Sequence, residues 1–246
     1  MLDCRGILDE VTSAVRQHNR CIVASGNVHS FNLAARDMDL REFINGADIV
    51  RLDGAGVALA AKLLGYQPPP RMTWADFAFD LAEHSSANDL SIYLLGNRPG
   101  VADAAASKLL AASPGLHIAG TQHGYFSKGV DDPENLEIIQ KVNGARADIL
   151  VVGLGMPLQE RWIAANACRI KTPVIMTAGA AFEWIADLKP RAPLWMCNNG
   201  MEWLWRLFLE PRRLFSRYIV GNPLFMYRVF KQLLINRQNE HITLRK

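Results

Sequence analysis

The sequence is short of the features that make a class obvious. Its 246 residues hold four cysteines, Cys4, Cys21, Cys168 and Cys197, which are scattered and form no C-x-x-C pair. That usage argues against a disulfide framework or a cysteine zinc site and fits a reduced, cytoplasmic protein. No run reaches the roughly 18 apolar residues of a spanning helix, so none is expected. The opening MLDCRGILDEVTSAVRQHNR lacks an apolar centre followed by a cleavage site and does not read as a signal peptide. Low-complexity tracts and internal repeats are absent. So are H-E-x-x-H, clustered Cys and His, and G-x-S-x-G, which leaves no zinc-hydrolase helix and no serine elbow. A metal-type D-x-D does occur at Asp37-Met38-Asp39, but inside the helical stretch NLAARDMDLREF. Those charges read as a solvated surface, and no metal is expected.

What is present is enough apolar material for a large core, since half of the residues are hydrophobic. The net charge of +3 conceals an asymmetry: residues 201–246 carry nine Lys or Arg against three Glu, and eight of the aromatics. A basic, aromatic tail thus follows a slightly acidic body. Six short apolar runs read as buried strands: 21–25, 47–52, 90–96, 116–120, 147–155 and 172–179. Helical patterns alternate with them at 5–18, 30–44, 55–65, 74–86, 99–112, 133–144 and 157–168. This alternation predicts an α/β fold with a largely parallel sheet covered on both faces. After residue 190 the text becomes helices broken at Pro193, Pro211 and Pro223. Residues 1–190 therefore read as the body and 191–246 as a helical appendage.

In such folds ligands collect at the carboxyl ends of strands. Those ends carry Ser25-Gly26-Asn27, Asp53-Gly54, Gly96-Asn97, Gly120-Thr121-Gln122-His123 and Gly153-Leu154-Gly155. The glycine pairs do not complete a dinucleotide loop, because Leu59 and Leu158 stand where G-x-G-x-x-G needs its third glycine. Asp53 has two readings: a cap on the next helix, or a base that takes a proton from a hydroxyl in the cleft. His123, between a strand end and glycines, is a structural residue or a donor to phosphate or sugar oxygen. Gln159 can hydrogen-bond a base or sugar, and Glu160 favours the helix dipole. In the tail, Arg206, Arg213 and Arg217 share a face if one helix runs through Pro211, and such a face grips a diphosphate. The alternatives are a membrane surface or a helical pair docked on the core. Nucleic acid is not an expected partner, since the body is acidic and no recognition module is visible.

Four blocks, ADIVRLDGAGVALAAKLLG, SIYLLGNRPGVADAAASKLLAASPGLHIAGTQHGYF, ADILVVGLGMPLQERWI and RAPLWMCNNGMEWLWRLFLEPRRLFSRYIVGNP, occur in an order that resembles the WecG/TagA/CpsF glycosyltransferases, family twenty-six. They span roughly residues 20–225. The resemblance implies an inverting, metal-independent enzyme without cofactor. Such an enzyme moves a sugar from a UDP-sugar to a polyprenyl-diphosphate-linked saccharide at the inner face of the cytoplasmic membrane, for a surface polysaccharide. It also implies a Rossmann-like domain whose C-terminal appendage completes the site, with homo-oligomers possible in the family. Carried over by position, Asp53 is the base, with Ser25, Asn27 and Arg71 beside it. Gly54, Gly96, His123, Gly124, Tyr125, Gly153, Gly155, Gln159 and Glu160 fall on the donor side. Arg191, Arg206, Arg213 and Arg217 fall on the acceptor-diphosphate and membrane side.

Several positions depart from the family pattern. Leu52 replaces a proline before Asp53, and Ser25-Gly26 replaces Thr-Pro. Gln122 replaces a common histidine, and Glu183 stands where Asp is usual, implying different pocket dimensions. Two competing classes remain open at this level: a nucleotide-dependent oxidoreductase, and a non-catalytic membrane scaffold of a polysaccharide assembly complex.

Overall fold

A computed structural model describes residues 2–68 and 72–243. Six strands form one parallel sheet in the order β2-β1-β6-β5-β3-β4. They are β1 (Cys21–Gly26), β2 (Ile49–Leu52), β3 (Ser91–Gly96), β4 (His117–Gln122), β5 (Ile149–Gly153) and β6 (Val174–Thr177). Each arises from one of the six apolar runs. Strands β3 and β5 are buried along their whole length, and a strand covered on both faces needs a continuous apolar run rather than an alternating one.

The helices follow in chain order: α1 (Cys4–Arg16), α2 (Val28–Ala34), α3 (Met38–Gly46), α4 (Ala55–Leu63), α5 (Trp74–Ala87) and α6 (Val101–Ala112), then α7 (Pro133–Ala145), α8 (Leu158–Asn166) and α9 (Ala181–Ile185). Beyond residue 190 come α10 (Leu194–Asn198), α11 (Glu202–Leu209), α12 (Pro211–Phe215) and α13 (Gly221–Thr243). Helices α1, α5, α6 and α9 cover one face of the sheet, where Ile92 and Leu94 meet Phe77 and Phe182. Helices α7 and α8 cover the other, where Tyr93 and Leu95 meet Ile138 and Trp162. Adjacent residues of β3 thus serve opposite cores, as the period of two requires. Burying Phe77 or Trp162 completely contributes about 1.5–3 kcal/mol each.

Two expectations are corrected. The predicted helix over 30–44 is two helices, because Asp37 caps α3 and its carboxylate accepts from the Leu40 N–H at 3.1 Å. The same carboxylate pairs with Arg161 at 2.7 Å, so Asp37 is engaged in the fold. The second correction concerns Pro223, which lies inside α13 and does not break it. A π-helical turn, Ser216–Val220, precedes it, and the Gly221 N–H reaches five residues back to the Ser216 carbonyl. The hydrogen-bond ladder is already offset where the proline ring and missing N–H would otherwise interrupt it.

The long C-terminal helix is fastened beside the carboxyl ends of β1 and β2. Phe225 and Val229 pack on Val57 and Ala60 of α4, with Phe31 of α2 alongside. The Phe31 and Phe225 rings stack at 6.2 Å, and Arg228 Nη1 donates to Asn32 Oδ1 at 2.6 Å. No helix among the described residues is long and apolar enough to cross a membrane.

Candidate active site

The strand order brings the ends of β2, β1, β6 and β5 together, and the helices after residue 190 close over them. The result is a cleft of two lobes. An inner lobe of about 270 Å³ is lined by Ser25, Gly155, Gln159, Gly179 and Trp184 among others. An outer lobe of about 230 Å³ is mostly apolar, with Val28, Leu59, Trp203, Phe225 and Met226. Six residues line both: Asn27, His29, Asp53, Arg206, Arg217 and Tyr218. They form the seam between the lobes.

Asp53 follows β2 and its N–H donates to the Gly26 carbonyl at 2.8 Å, extending the β1–β2 ladder by one residue. The N-cap of α4 is Gly54, whose φ of 99° suits glycine, and no side chain caps that helix. The capping role considered for Asp53 is therefore not the one it has. Its carboxylate faces the charges of Arg206 and Arg217. The departures beside it are coupled. Leu52 and Gly26 are register partners, and Leu52 packs into the cluster that docks α13. A Cβ on Gly26 would lie 2.9 Å from Val50 Cγ1, 3.2 Å from Phe31 Cζ and 3.4 Å from Leu52 Cδ2. Glycine there leaves room for the apolar residues that hold the C-terminal helix.

Ser25 is committed to the framework. Its hydroxyl donates to the Thr177 carbonyl at 2.8 Å and accepts from Trp74 Nε1 at 3.0 Å and Arg51 Nη2 at 3.2 Å. Arg51, unremarked in the sequence, is 1% exposed and donates Nη1 to the Met72 carbonyl at 2.6 Å. Its guanidinium lies over the Trp74 and Phe77 rings. Burial pushes it below its ordinary pKa, and the Asp53 charge opposes that shift. Asn27 forms a capping box at the start of α2: its Oδ1 accepts from the Ser30 N–H at 3.0 Å and its N–H donates to Ser30 Oγ at 2.8 Å.

From the first turn of α8, Gln159 enters the inner lobe. Its Oε1 accepts from the Gly179 N–H at 2.9 Å and its Nε2 donates to Glu160 Oε1 at 2.7 Å. Glu160 sits behind it, outside the lining and 2% exposed, and its Oε2 has no hydrogen-bond partner among the described residues. Burial pushes this carboxyl up to about 7.

The arginines of the C-terminal segment converge without the continuous helix imagined for them. The chain breaks at Glu210, with φ −135° and ψ 61°, and Pro211 opens α12. Arg206, Arg213 and Arg217 nonetheless all line the inner lobe. Arg206 pairs with Glu202 and lies 4.9 Å over the Trp184 ring. Burial works against its charge, but Glu202 and Asp53 hold its pKa above the ordinary value. Burial lowers that of Arg217, with Tyr218 and Asp53 opposing. The Nε atoms of both are buried with no hydrogen-bond partner among the described residues. Arg213 pairs with Glu210.

His29, in the first turn of α2, was not singled out by sequence. It is half-buried at the seam, and burial followed by the Arg217 charge pushes its pKa down to about 4. A lone histidine three residues past a strand end carries no spacing signal, and only the return of the C-terminal helices makes it part of a site.

The remaining candidates lie elsewhere. Gly96 and Gly153 allow β3 and β5 to approach, since a Cβ on Gly96 would sit 2.4 Å from the Gly153 backbone. His123, Gly124 and Tyr125 follow β4 at the far edge of the sheet and are absent from the cleft lining. There His123 Nδ1 accepts from the Tyr125 N–H at 3.3 Å. Arg191 pairs with Asp76 outside both lobes. Glu183 also lies outside them, bridging Arg98 and Lys189. Arg71 lies outside the described residues. Among the described residues no group of three or more His, Cys, Asp or Glu is placed to hold a metal ion.

Comparison with known proteins adds two findings. The model of the Glycosyl transferase WecG/TagA/CpsF family matches residues 1–239. Three relatives from Staphylococcus aureus, strains NCTC 8325 / PS 47, COL and MSSA476, are each 27% identical over 213 residues, covering 87% of this chain and 81% of theirs. Each bears the name N-acetylglucosaminyldiphosphoundecaprenol N-acetyl-beta-D-mannosaminyltransferase.

Proposed function

The chain belongs to the WecG/TagA/CpsF family of glycosyl transferases, and from that premise we propose that it moves a sugar from a UDP-sugar to a polyprenyl-diphosphate-linked saccharide, with inversion and without a metal. The observation that carries this reading is the place of Asp53. Its carboxylate lies at the seam of the two lobes, does not cap the helix after it, and faces two arginines. The inner lobe takes the donor and the outer, apolar lobe takes the lipid-linked acceptor. The acceptor hydroxyl meets the anomeric carbon at the seam. Asp53 takes the hydroxyl proton, the oxygen bonds to the anomeric carbon from the face opposite the diphosphate, and the carbon–oxygen bond to the diphosphate breaks. UDP departs with that electron pair. Its charge is met by arginines whose buried Nε groups lack hydrogen-bond partners among the described residues, a cost that a bound phosphate oxygen removes. The names of the relatives support an acceptor of this chemistry.

Residues 191–246 act in this reading as an appendage that completes the site against the inner face of the cytoplasmic membrane. Leu194, Trp195, Phe208, Phe215 and Phe230 are exposed among basic residues, the mixture that suits an anionic bilayer surface. The test is a panel of UDP-sugars, UDP-N-acetylmannosamine included, with a short-chain lipid-diphosphate N-acetylglucosamine as acceptor. Product configuration is read by NMR, with and without EDTA. Inverted product that survives EDTA is expected. A retained configuration, or a requirement for added metal, overturns the corresponding part, and transfer from another nucleotide sugar alone overturns the donor.

A further inference from the structure

We propose that His29 contacts the acceptor, hydrogen-bonding a hydroxyl or acetamido oxygen of its terminal sugar. The proposal rests on the transferase reading above and names a residue and a substrate moiety beyond it. Three observations lead to it. His29 is one of only six residues that line both lobes among those described. Among the described residues its side chain makes no hydrogen bond, although it is half-buried, and a polar group so placed is ordinarily satisfied by protein, water or ligand. It stands on α2, the helix that carries the apolar lobe's Val28 and that α13 clasps through Phe31–Phe225 and Asn32–Arg228.

Charge then narrows the ligand. The charged and titratable groups that share the two lobes with His29 are Arg217 and Tyr218 on the π-helical turn, Arg206 and Glu202 on α11, Asp53 after β2, and, in the inner lobe, Arg213 paired with Glu210. The imidazole is uncharged above about pH 4, so it adds nothing to the grip on diphosphate, which the two arginines supply. A neutral imidazole offers one N–H donor and one nitrogen acceptor, the pair that reads a sugar hydroxyl or an acetamido group. On the seam, that oxygen belongs to the same sugar that carries the attacking hydroxyl.

Steady-state kinetics with the short-chain lipid-diphosphate N-acetylglucosamine tests this. His29→Ala is expected to raise the acceptor KM about tenfold, with the UDP-sugar KM within about twofold and kcat within about threefold. His29→Gln, which keeps a donor and an acceptor, is expected to restore most of the loss. A rise in the donor KM alone, a fall in kcat with both KM values unchanged, or no change at all overturns the proposal. The imidazole NMR signal, identified by its absence in His29→Gln, gives a readout free of turnover. It is expected to shift with the acceptor analogue but not with UDP, and not to titrate between about pH 5.5 and 8. A signal that responds to UDP alone, or that titrates near the ordinary histidine value, refutes it. These readouts stay separate from the transferase reading, which fails instead if the wild-type protein transfers no sugar from any UDP-sugar of the panel to that acceptor.

Discussion

Replacing Glu160 with glutamine isolates the energetic consequence of a carboxyl buried behind the inner lobe. One of its oxygens accepts from Gln159 Nε2 and the other has no hydrogen-bond partner among the described residues, so water is excluded without full compensation. Its pKa rises from an ordinary 4.5 to about 7 as a result, with burial the largest cause. The folded state therefore holds the proton more tightly than the unfolded chain. The stabilisation is complete below about pH 4.5 and is lost as pH rises through about 7. That gap amounts to roughly 3 kcal/mol between pH 4 and 8, at 1.36 kcal/mol for each step of one in pKa. Glutamine does not titrate, keeps an oxygen for Gln159, and places an N–H2 where the free oxygen was. At pH 4 the variant should equal or fall slightly below the wild type. By pH 8 the difference should have moved in its favour by roughly 3 kcal/mol. Urea unfolding at five pH values measures this, and subtracting the two proteins cancels groups that titrate alike in both. Parallel stability curves would show that Glu160 keeps an ordinary carboxylate pKa, and the argument from burial would fail.

Asp53→Asn should lower turnover by about 10²–10⁴-fold while leaving UDP-sugar binding, measured calorimetrically, close to wild type. Arg217→Gln should lower kcat/KM for the UDP-sugar by roughly tenfold to a hundredfold, the worth of a charge-assisted hydrogen bond to the departing diphosphate, and the loss should shrink as salt rises. An unaltered kcat/KM would place that diphosphate elsewhere. Phe208→Glu should reduce binding to anionic vesicles without changing the urea midpoint, because that side chain is 77% exposed; unchanged vesicle binding would remove α11 from the membrane contact. Gly26→Ala should cost about 1–3 kcal/mol through overpacking. Val50→Ala, which removes the atom 2.9 Å from the new Cβ, should recover part of it in the double variant.

The strands were legible because each is an apolar run bounded by Gly, Asn or Asp, and burial on both faces leaves little room for another assignment. Boundaries were less so. In NLAARDMDLREF the apolar spacing continues across Asp37, and periodicity alone does not register that its carboxylate satisfies the Leu40 N–H and ends one helix to begin another. Pro223 misled in the opposite direction. A proline is a reliable breaker only where the i to i−4 ladder is regular, and here a π-helical turn precedes it.

The site was legible in proportion to how local its cause is. Asp53 stands at a strand end next to a glycine and Gln159 follows Pro157 at the start of a helix, patterns readable along the chain, and the fold places both in one cleft. His123-Gly124-Tyr125 has the same local pattern after β4 yet lies at the far edge. The difference is strand order, β2-β1-β6-β5 on the cleft side and β3-β4 beyond, which no single run encodes. Arg51 and His29 were invisible for a related reason. Each owes its importance to neighbours 21 or more residues away, the Met72 carbonyl for one and the Arg217 charge for the other. The arginines of the C-terminal segment show how a correct grouping can rest on the wrong geometry. They gather because α11 and α12 fold around the break at Glu210 and α13 is anchored on α2 and α4, not because they share one helical face. Substitutions that loosen that anchor, such as those at Phe225, should therefore impair acceptor use without touching any charged group in the cleft.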